Sequence, residues 1–111
     1  VASSTWDAVH KGMRGVAKNS PILSSMKLSV AGKTGTAQED MSRPSHGLFI
    51  GFAPYDNPEV GVAVRIGNGY SSGNAASVAK DILNYKYNFA DESDIVTGAA
   101  TASDTTTTHN D

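Results

Sequence analysis

The sequence predicts an α+β fold, with one antiparallel sheet of three strands packed with an N-terminal and a C-terminal helix. Two observations carry this expectation. Apolar residues recur at helical spacing near each end of the main body, and between them lie three strand-like runs separated by a loop and a turn. At 111 residues the chain has room for one small domain, of a size that buries about 60–70% of its unfolded surface. Two amphipathic helices on a single sheet make a layered arrangement, with both helices expected on the same face.

The first helix is expected from about Thr5 to Lys18. Ser4-x-x-Asp7 resembles a helix-start capping pattern, and Trp6, Val9, Met13, Val16 and Ala17 follow as one apolar stripe. Asn19-Ser20-Pro21 ends it, because the residue before proline is pushed out of the helical region. From Lys27 to Gln38, Leu28, Val30, Thr34 and Thr36 alternate, with Gly32 and Gly35 between them, as in a strand that something approaches closely. Glu39 to Gly47, with Arg43-Pro44-Ser45-His46, reads as a loop. Leu48 to Ala53 is an apolar strand, Pro54 to Pro58 a turn, and Val60 to Ile66 the third strand. Gly67 to Gly73 is a glycine-rich loop, after which Ala75, Val78, Ala79, Ile82 and Leu83 mark a closing helix to about Tyr87.

The folded unit is expected to be residues 1–90. The segment 91–111 places Asp91, Glu92, Asp94, Asp104 and Asp111 among Thr, Ser, Ala and Gly. It has too little apolar surface to offset its ordering entropy and is expected to be a disordered acidic, threonine-rich tail. The formal net charge of −2 comes with scattered cations and no basic stripe, which argues against a nucleic-acid partner. The absence of cysteine removes disulfides and thiolate metal sites, and the three scattered histidines make no metal site. No cofactor is implied, since Gly67-x-Gly69 lacks the spacing of a nucleotide-binding loop. No apolar run is long enough for a membrane span, and the first residues have no signal-peptide pattern, so any anchor is expected elsewhere. A chain that starts with Val is expected to be a processed or partial product.

The chemistry-bearing motif is Lys33-Thr34-Gly35-Thr36. Three residues alone recur by chance, and the context is what strengthens the signal. Val30-Ala31-Gly32-Lys33-Thr34-Gly35-Thr36-Ala37-Gln38 lies on a predicted strand and is followed by His46-Gly47-Leu48-Phe49-Ile50-Gly51-Phe52-Ala53-Pro54. That sequence resembles the end of the penicillin-binding protein transpeptidase domain, closer to the class B enzymes than to the serine β-lactamases. Gly12-Met13-x-x-Val16 before it and Ala75-Ala76-x-Val78-Ala79-x-x-Ile82-Leu83 after it extend the resemblance over nearly everything but the tail. The resemblance implies the C-terminal portion of a β-lactamase/transpeptidase-like fold. The implied parent is an extracytoplasmic peptidoglycan D,D-transpeptidase that binds penicillin and cross-links stem peptides through an acyl-serine intermediate. Its partners would be stem peptides, β-lactams and the rest of the transpeptidase domain, with the membrane reached only through an upstream anchor.

Acyl transfer to serine needs an anchored substrate carboxylate, a nucleophile that can lose its proton, and a stabilised oxyanion. Lys33 supplies positive charge for the first two. Thr34 and Thr36 offer hydroxyl donors to the carboxylate, and Gly35 removes a side chain where a peptide would lie along the strand edge. By resemblance, the Thr36 N–H forms half of the oxyanion hole, and substrate joins the strand as an added β-strand. The bland alternative makes Lys33 an exposed strand lysine and the threonines residues of β propensity.

The family also needs a Ser-x-x-Lys and a Ser-x-Asn motif, both upstream of Lys-Thr-Gly. Ser24-Ser25-Met26-Lys27 and Ser72-Gly73-Asn74 match these patterns in the wrong settings. The first runs into a strand instead of starting a helix, and the second follows Lys-Thr-Gly and suits the N-cap of the last helix. This chain is therefore expected to lack the nucleophile and to be inactive alone. His46, at the loop-to-strand junction, is expected to pack or hydrogen-bond at the mouth of the site rather than act as general base. Two other readings stay open: a penicillin-recognising sensor domain, and a small non-catalytic α+β module. An unpaired strand edge also leads us to expect marginal stability or self-association.

Overall fold

The computed structural model describes residues 1–95. Its elements are α1 (Ser3–Asn19), β1 (Ala31–Ala37), β2 (His46–Ala53), β3 (Val60–Ile66), α2 (Ser72–Lys86) and the single turn α3 (Glu92–Ile95). The strands form one antiparallel sheet in the order β1-β2-β3, the meander expected from the sequence. In its register Phe49 stands opposite Thr34 on one side and Val64 on the other. Of the expected tail, Glu92–Ile95 forms α3, and residues 96–111 lie outside the described residues.

The core forms around Phe49, which is 1% exposed, with Val30, Ala53 and Ala75, Ala76, Ala79 and Leu83 of α2 around it. Its ring lies across two glycines of the sheet. A Cβ on Gly51 would come within 2.8 Å of the ring carbon Cε1, and one on Gly32 would collide with the ring edge. The closely spaced glycines of β1 and β2 therefore make a bed for an aromatic side chain of the same sheet. Val60, Val62 and Val64 of β3 extend that apolar face.

α2 covers the Phe49 face of the sheet, and α1 reaches the same core at its C-terminal end, where Ala17 is buried in the Phe49 cluster and Val16 lines a groove with Thr34, Ser72, Gly73 and Ala76. Gly47 and Phe49 face α2, since a Cβ on Gly47 would sit 3.7 Å from Cβ of Ala75. Phe52 is an odd number of residues from Phe49 and so points the other way. Its ring meets His10 of α1 edge-on, with centroids 4.9 Å apart. β2 carries apolar side chains on both faces, Leu48, Ile50 and Phe52 on one and Phe49 on the other, and α1 touches both, with His10 at Phe52 and Ala17 in the Phe49 core.

α1 begins at Ser3 with Ala2 as its N-cap and no side-chain cap bond, so Ser4 lies inside the helix and the expected capping pattern is not formed. Its expected apolar stripe holds in the second half only. Trp6 and Val9 are about half exposed (51% and 49%), while Met13, Val16 and Ala17 turn inward together with His10 and Arg14. The reason is polar as well as apolar: the Arg14 guanidinium donates to the Val30 carbonyl at 2.9 Å and fixes α1 to the entry of β1. The segment 21–25 ahead of β1 is turn, with Ser20 Oγ accepting from the N–H groups of Ile22 and Leu23 at 3.2 Å. β1 is therefore shorter than the expected Lys27–Gln38. Leu23, Leu28 and Val30 of the approach are buried in the core.

α2 is capped by Ser71, whose Oγ accepts the Gly73 N–H at 3.0 Å. The cap thus sits one residue before the Ser72-Gly73-Asn74 triplet expected to supply it. Asn74 serves the preceding turn, donating from Nδ2 to the Gly69 carbonyl at 2.7 Å. At the far end of the helix the Tyr87 hydroxyl donates to Glu59 Oε2 at 2.8 Å and ties α2 to the start of β3. Loss of hydration, and then this contact with the glutamate, raise the Tyr87 phenol above its ordinary pKa.

Candidate functional site

β1 carries Lys33-Thr34-Gly35-Thr36 at an edge of the sheet, with β2 on one side and no strand on the other among the described residues. Alternation along the strand divides the motif. Lys33 and Gly35 share the face of Leu48 and Ile50, whereas Thr34 and Thr36 share the face of Phe49 and Gly47. All four residues therefore come together only along the outer edge, where a bound chain could reach both sides. Lys33 is exposed, and its Nζ donates to the neighbouring Thr34 carbonyl. This holds the ammonium back along the strand edge.

On the Lys33 face a depression of about 420 Å³ is lined by Lys33, Gly35, Leu48, Ile50, Ala63 and Arg65. Arg65 was missed in the sequence because it is one cation among valines, yet the register places it across Leu48 from Gly35. On the other face Thr34 lines a smaller groove with Ile22, Ser71, Ser72 and Gly73. A Cβ on Gly35 would meet Leu48 at an ordinary 3.7 Å. Nothing within the fold requires glycine there, unlike at Gly32.

His46 is 8% exposed and pairs with Ala37 at the end of β1. Its Nδ1 accepts the Asn68 N–H at 2.9 Å, and its Nε2 lies 3.2 Å from Glu39 Oε2. An Nδ1 that accepts carries no proton, so the ring proton sits on Nε2 and points at the glutamate. The imidazole is committed at both nitrogens, in line with the hydrogen-bonding role expected of it. In the loop beyond Glu39, the N–H and hydroxyl of Ser42 donate to Asp40 at 2.9 Å and hold its carboxyl below the ordinary range.

The lookalike motifs fall where no nucleophile would be expected. Ser24 and Lys27 lie in and just after a turn and do not share a helix face. Lys27 stands over the Phe89 ring at 5.8 Å instead. Ser72 is 3% exposed at the first turn of α2.

Comparison with known proteins follows the same outline. Residues 1–84 match the penicillin binding protein transpeptidase domain. The chain belongs to that family. Among curated relatives, the peptidoglycan D,D-transpeptidase MrdA of Acinetobacter baumannii is 41% identical over 70 residues, taking in 50% of this chain and 10% of the relative. MrdA of Haemophilus influenzae is 30% identical over 105 residues, covering 77% of this chain and 16% of its own length. Among solved structures, Pseudomonas aeruginosa PBP2 in complex with WCK 5153 superposes with a TM-score of 0.66 at 39% identity, over 80% of this chain and 20% of that one. The imipenem acyl-enzyme complex of penicillin-binding protein A from Mycobacterium tuberculosis gives 0.69 at 28% identity, over 78% and 20%. This piece of transpeptidase domain thus spans 10–16% of those two curated relatives. Its three antiparallel strands and helices are the α+β arrangement of its structural neighbours. A match running over residues 1–84 also leaves no room for a chance Lys-Thr-Gly in an unrelated module.

Proposed function

We propose that this chain forms the substrate-binding wall of an extracytoplasmic serine D,D-transpeptidase that cross-links peptidoglycan stem peptides and is acylated by β-lactams. The observation that carries the reading is Lys33-Thr34-Gly35-Thr36 on an edge strand with, among the described residues, no strand at its outer side. A stem peptide ending in D-alanyl-D-alanine, or a β-lactam, lies along that edge as an added strand. Lys33 attracts its carboxylate, Thr34 and Thr36 donate to it, and Gly35 leaves room on the open face. The Thr36 N–H supplies one donor to the tetrahedral oxyanion.

The nucleophilic serine comes from a part of the domain outside this sequence. Its hydroxyl oxygen attacks the penultimate D-alanine carbonyl, terminal D-alanine leaves, and the acyl group passes to an acceptor amine on a second stem peptide. The membrane is reached through an upstream anchor. The names of the relatives, D,D-transpeptidases in each MrdA, favour a synthase over a sensor.

Intact-mass spectrometry with and without a β-lactam tests the reading on the 111-residue chain and on the full-length gene product. The expected result is a covalent shift in the longer protein only. Lys33→Ala there should slow acylation by about ten- to a hundredfold, the loss of one charge-assisted contact. A shift in the short chain would move the nucleophile to Ser24 or Ser72, and an unchanged rate in K33A would remove the lysine from the site.

A further inference from the structure

We infer that His46 is a positioning residue, which holds the exit end of the Lys33–Thr36 strand through contacts to Glu39 and Asn68, the second of which needs an unprotonated Nδ1. The link to acylation rests on the transpeptidase reading above. The clamp itself rests on geometry. As an edge strand, β1 has among the described residues a strand neighbour on one side only, and after Ala37 it runs into an exposed segment, Gln38 to Arg43. An edge strand entering such a loop frays unless something beyond the ladder holds it.

His46 is placed to do so. It stands opposite Ala37 in register and is nearly buried. Nε2 reaches Glu39, two residues past the end of β1, and Nδ1 takes the N–H of Asn68, just past the end of β3. One ring therefore ties the segment leaving β1 to the turn leaving β3, across the start of β2 between them. That turn is unusual in its backbone, with Asn68 at φ 53° and Tyr70 at φ 69°, a conformation that persists only where its surroundings hold it. Besides the imidazole it is held by the Tyr70 N–H to the Ser45 carbonyl at 3.0 Å and by Asn74 to the Gly69 carbonyl. It ends at Ser71, whose carbonyl packs against Gly47, and Gly47 is the register partner of Thr36. Thr36 is thus one residue from the clamp, and Lys33 is four.

Protonation would turn Nδ1 from acceptor to donor and set it against the Asn68 N–H, so the clamp opens from the β3 side as the ring becomes cationic. The charged groups near it act in both directions. Glu39, after β1, favours the cation. Arg65 on β3, whose guanidinium nitrogen would stand 3.5 Å from a Cβ on Gly67, opposes it, as does Lys33 further along the same face of β1. Across the sheet, the α2 residue bonded to the turn is the uncharged Asn74.

Two substitutions separate the halves of the clamp. His46→Asn keeps an acceptor oxygen near the Nδ1 position and does not titrate, but falls short of Glu39. His46→Gln reaches towards Glu39 without an acceptor for Asn68. β-Lactam acylation rates of the full-length protein would be measured between about pH 5 and 8, with hydrogen–deuterium exchange of residues 34–40 followed in the same samples and expressed as protection relative to the intrinsic amide rate at each pH. The wild-type rate divided by the H46N rate should fall by about tenfold towards acid, the equivalent of one neutral hydrogen bond, while protection at 36–40 falls in the wild type alone. H46Q should acylate slowly and be weakly protected there at every pH. A rate ratio that does not change with pH, with protection at 36–40 that does not respond, would overturn the clamp and leave the transpeptidase reading intact. A wild type that is never acylated but shows the expected exchange would overturn that reading and leave the clamp. If H46Q does not fold, the pH response of H46N against wild type decides the matter by itself.

Discussion

At the scale of single residues, the core turns on Phe49, which is 1% exposed and lays its ring across Gly32 and Gly51. Gly32 and Gly35 both read as places where something approaches the strand. The structure separates them, because Gly32 gives way to the Phe49 ring of the same sheet, while Gly35 has ordinary space above it. Spacing within one strand cannot tell an internal approach from an external one, since the aromatic ring that decides it lies seventeen residues away in sequence and reaches Gly32 diagonally from its place opposite Thr34. Phe49 should accordingly be the most costly side chain to remove. Phe49→Ala would empty the centre of the core and cost about 3–5 kcal/mol, against a total that for a domain lies at about 5–15 kcal/mol. Urea unfolding of the variant should show little or no folded baseline. A midpoint close to that of the wild type would mean that the ring does not seal the face between the sheet and α2.

At the scale of elements, the helices and strands were readable from periodicity, while their orientation and ends were not. The stripe Trp6, Val9, Met13, Val16, Ala17 was found by hydrophobicity, but Arg14 reaches the Val30 carbonyl and His10 reaches Phe52, so polar anchors set the rotation of α1. β2 is an unbroken apolar run with no polar face, and α1 meets both sides of it, His10 at Phe52 and Ala17 in the Phe49 core. The start of α2 is the clearest case of a boundary fixed by one contact. Ser71, Ser72, Gly73 and Asn74 stand together, and the Oγ of Ser71 takes the Gly73 N–H in the first turn. Ser71→Ala should therefore lower stability by about 1 kcal/mol. Asn74→Ala should act through the Gly67–Tyr70 turn instead, loosening amide exchange at Asn68 to Tyr70. Equal effects of the two variants on the first turn of α2, read by amide exchange, would contradict the assignment of the cap.

At the scale of the whole molecule, the sheet is covered unevenly. α2 and the Ala17 end of α1 cover the face of Phe49 and of the β3 valines, whereas the other face, where His10 meets Phe52, leaves Ile50 56% exposed beside Leu48 and Ala63. β3 has β2 on one side and, among the described residues, no strand on the other. Its seven residues contain one charge, Arg65, and no proline, so it lacks most of the devices that keep edges from pairing with other chains. In a complete transpeptidase domain those surfaces are where the remaining sequence would dock. The 111-residue chain by itself should therefore associate as its concentration rises, through the β3 edge and the apolar trough next to it. Sedimentation velocity over a wide concentration range would report this directly. Ala63→Lys is the informative variant, because Ala63 is exposed on the open face of β3 and a lysine there charges the edge without entering the core. It should shift the chain towards monomer with its melting temperature nearly unchanged. A wild-type chain that stays monomeric at every concentration, with a sharp thermal transition, would mean that these surfaces are less adhesive than their composition implies.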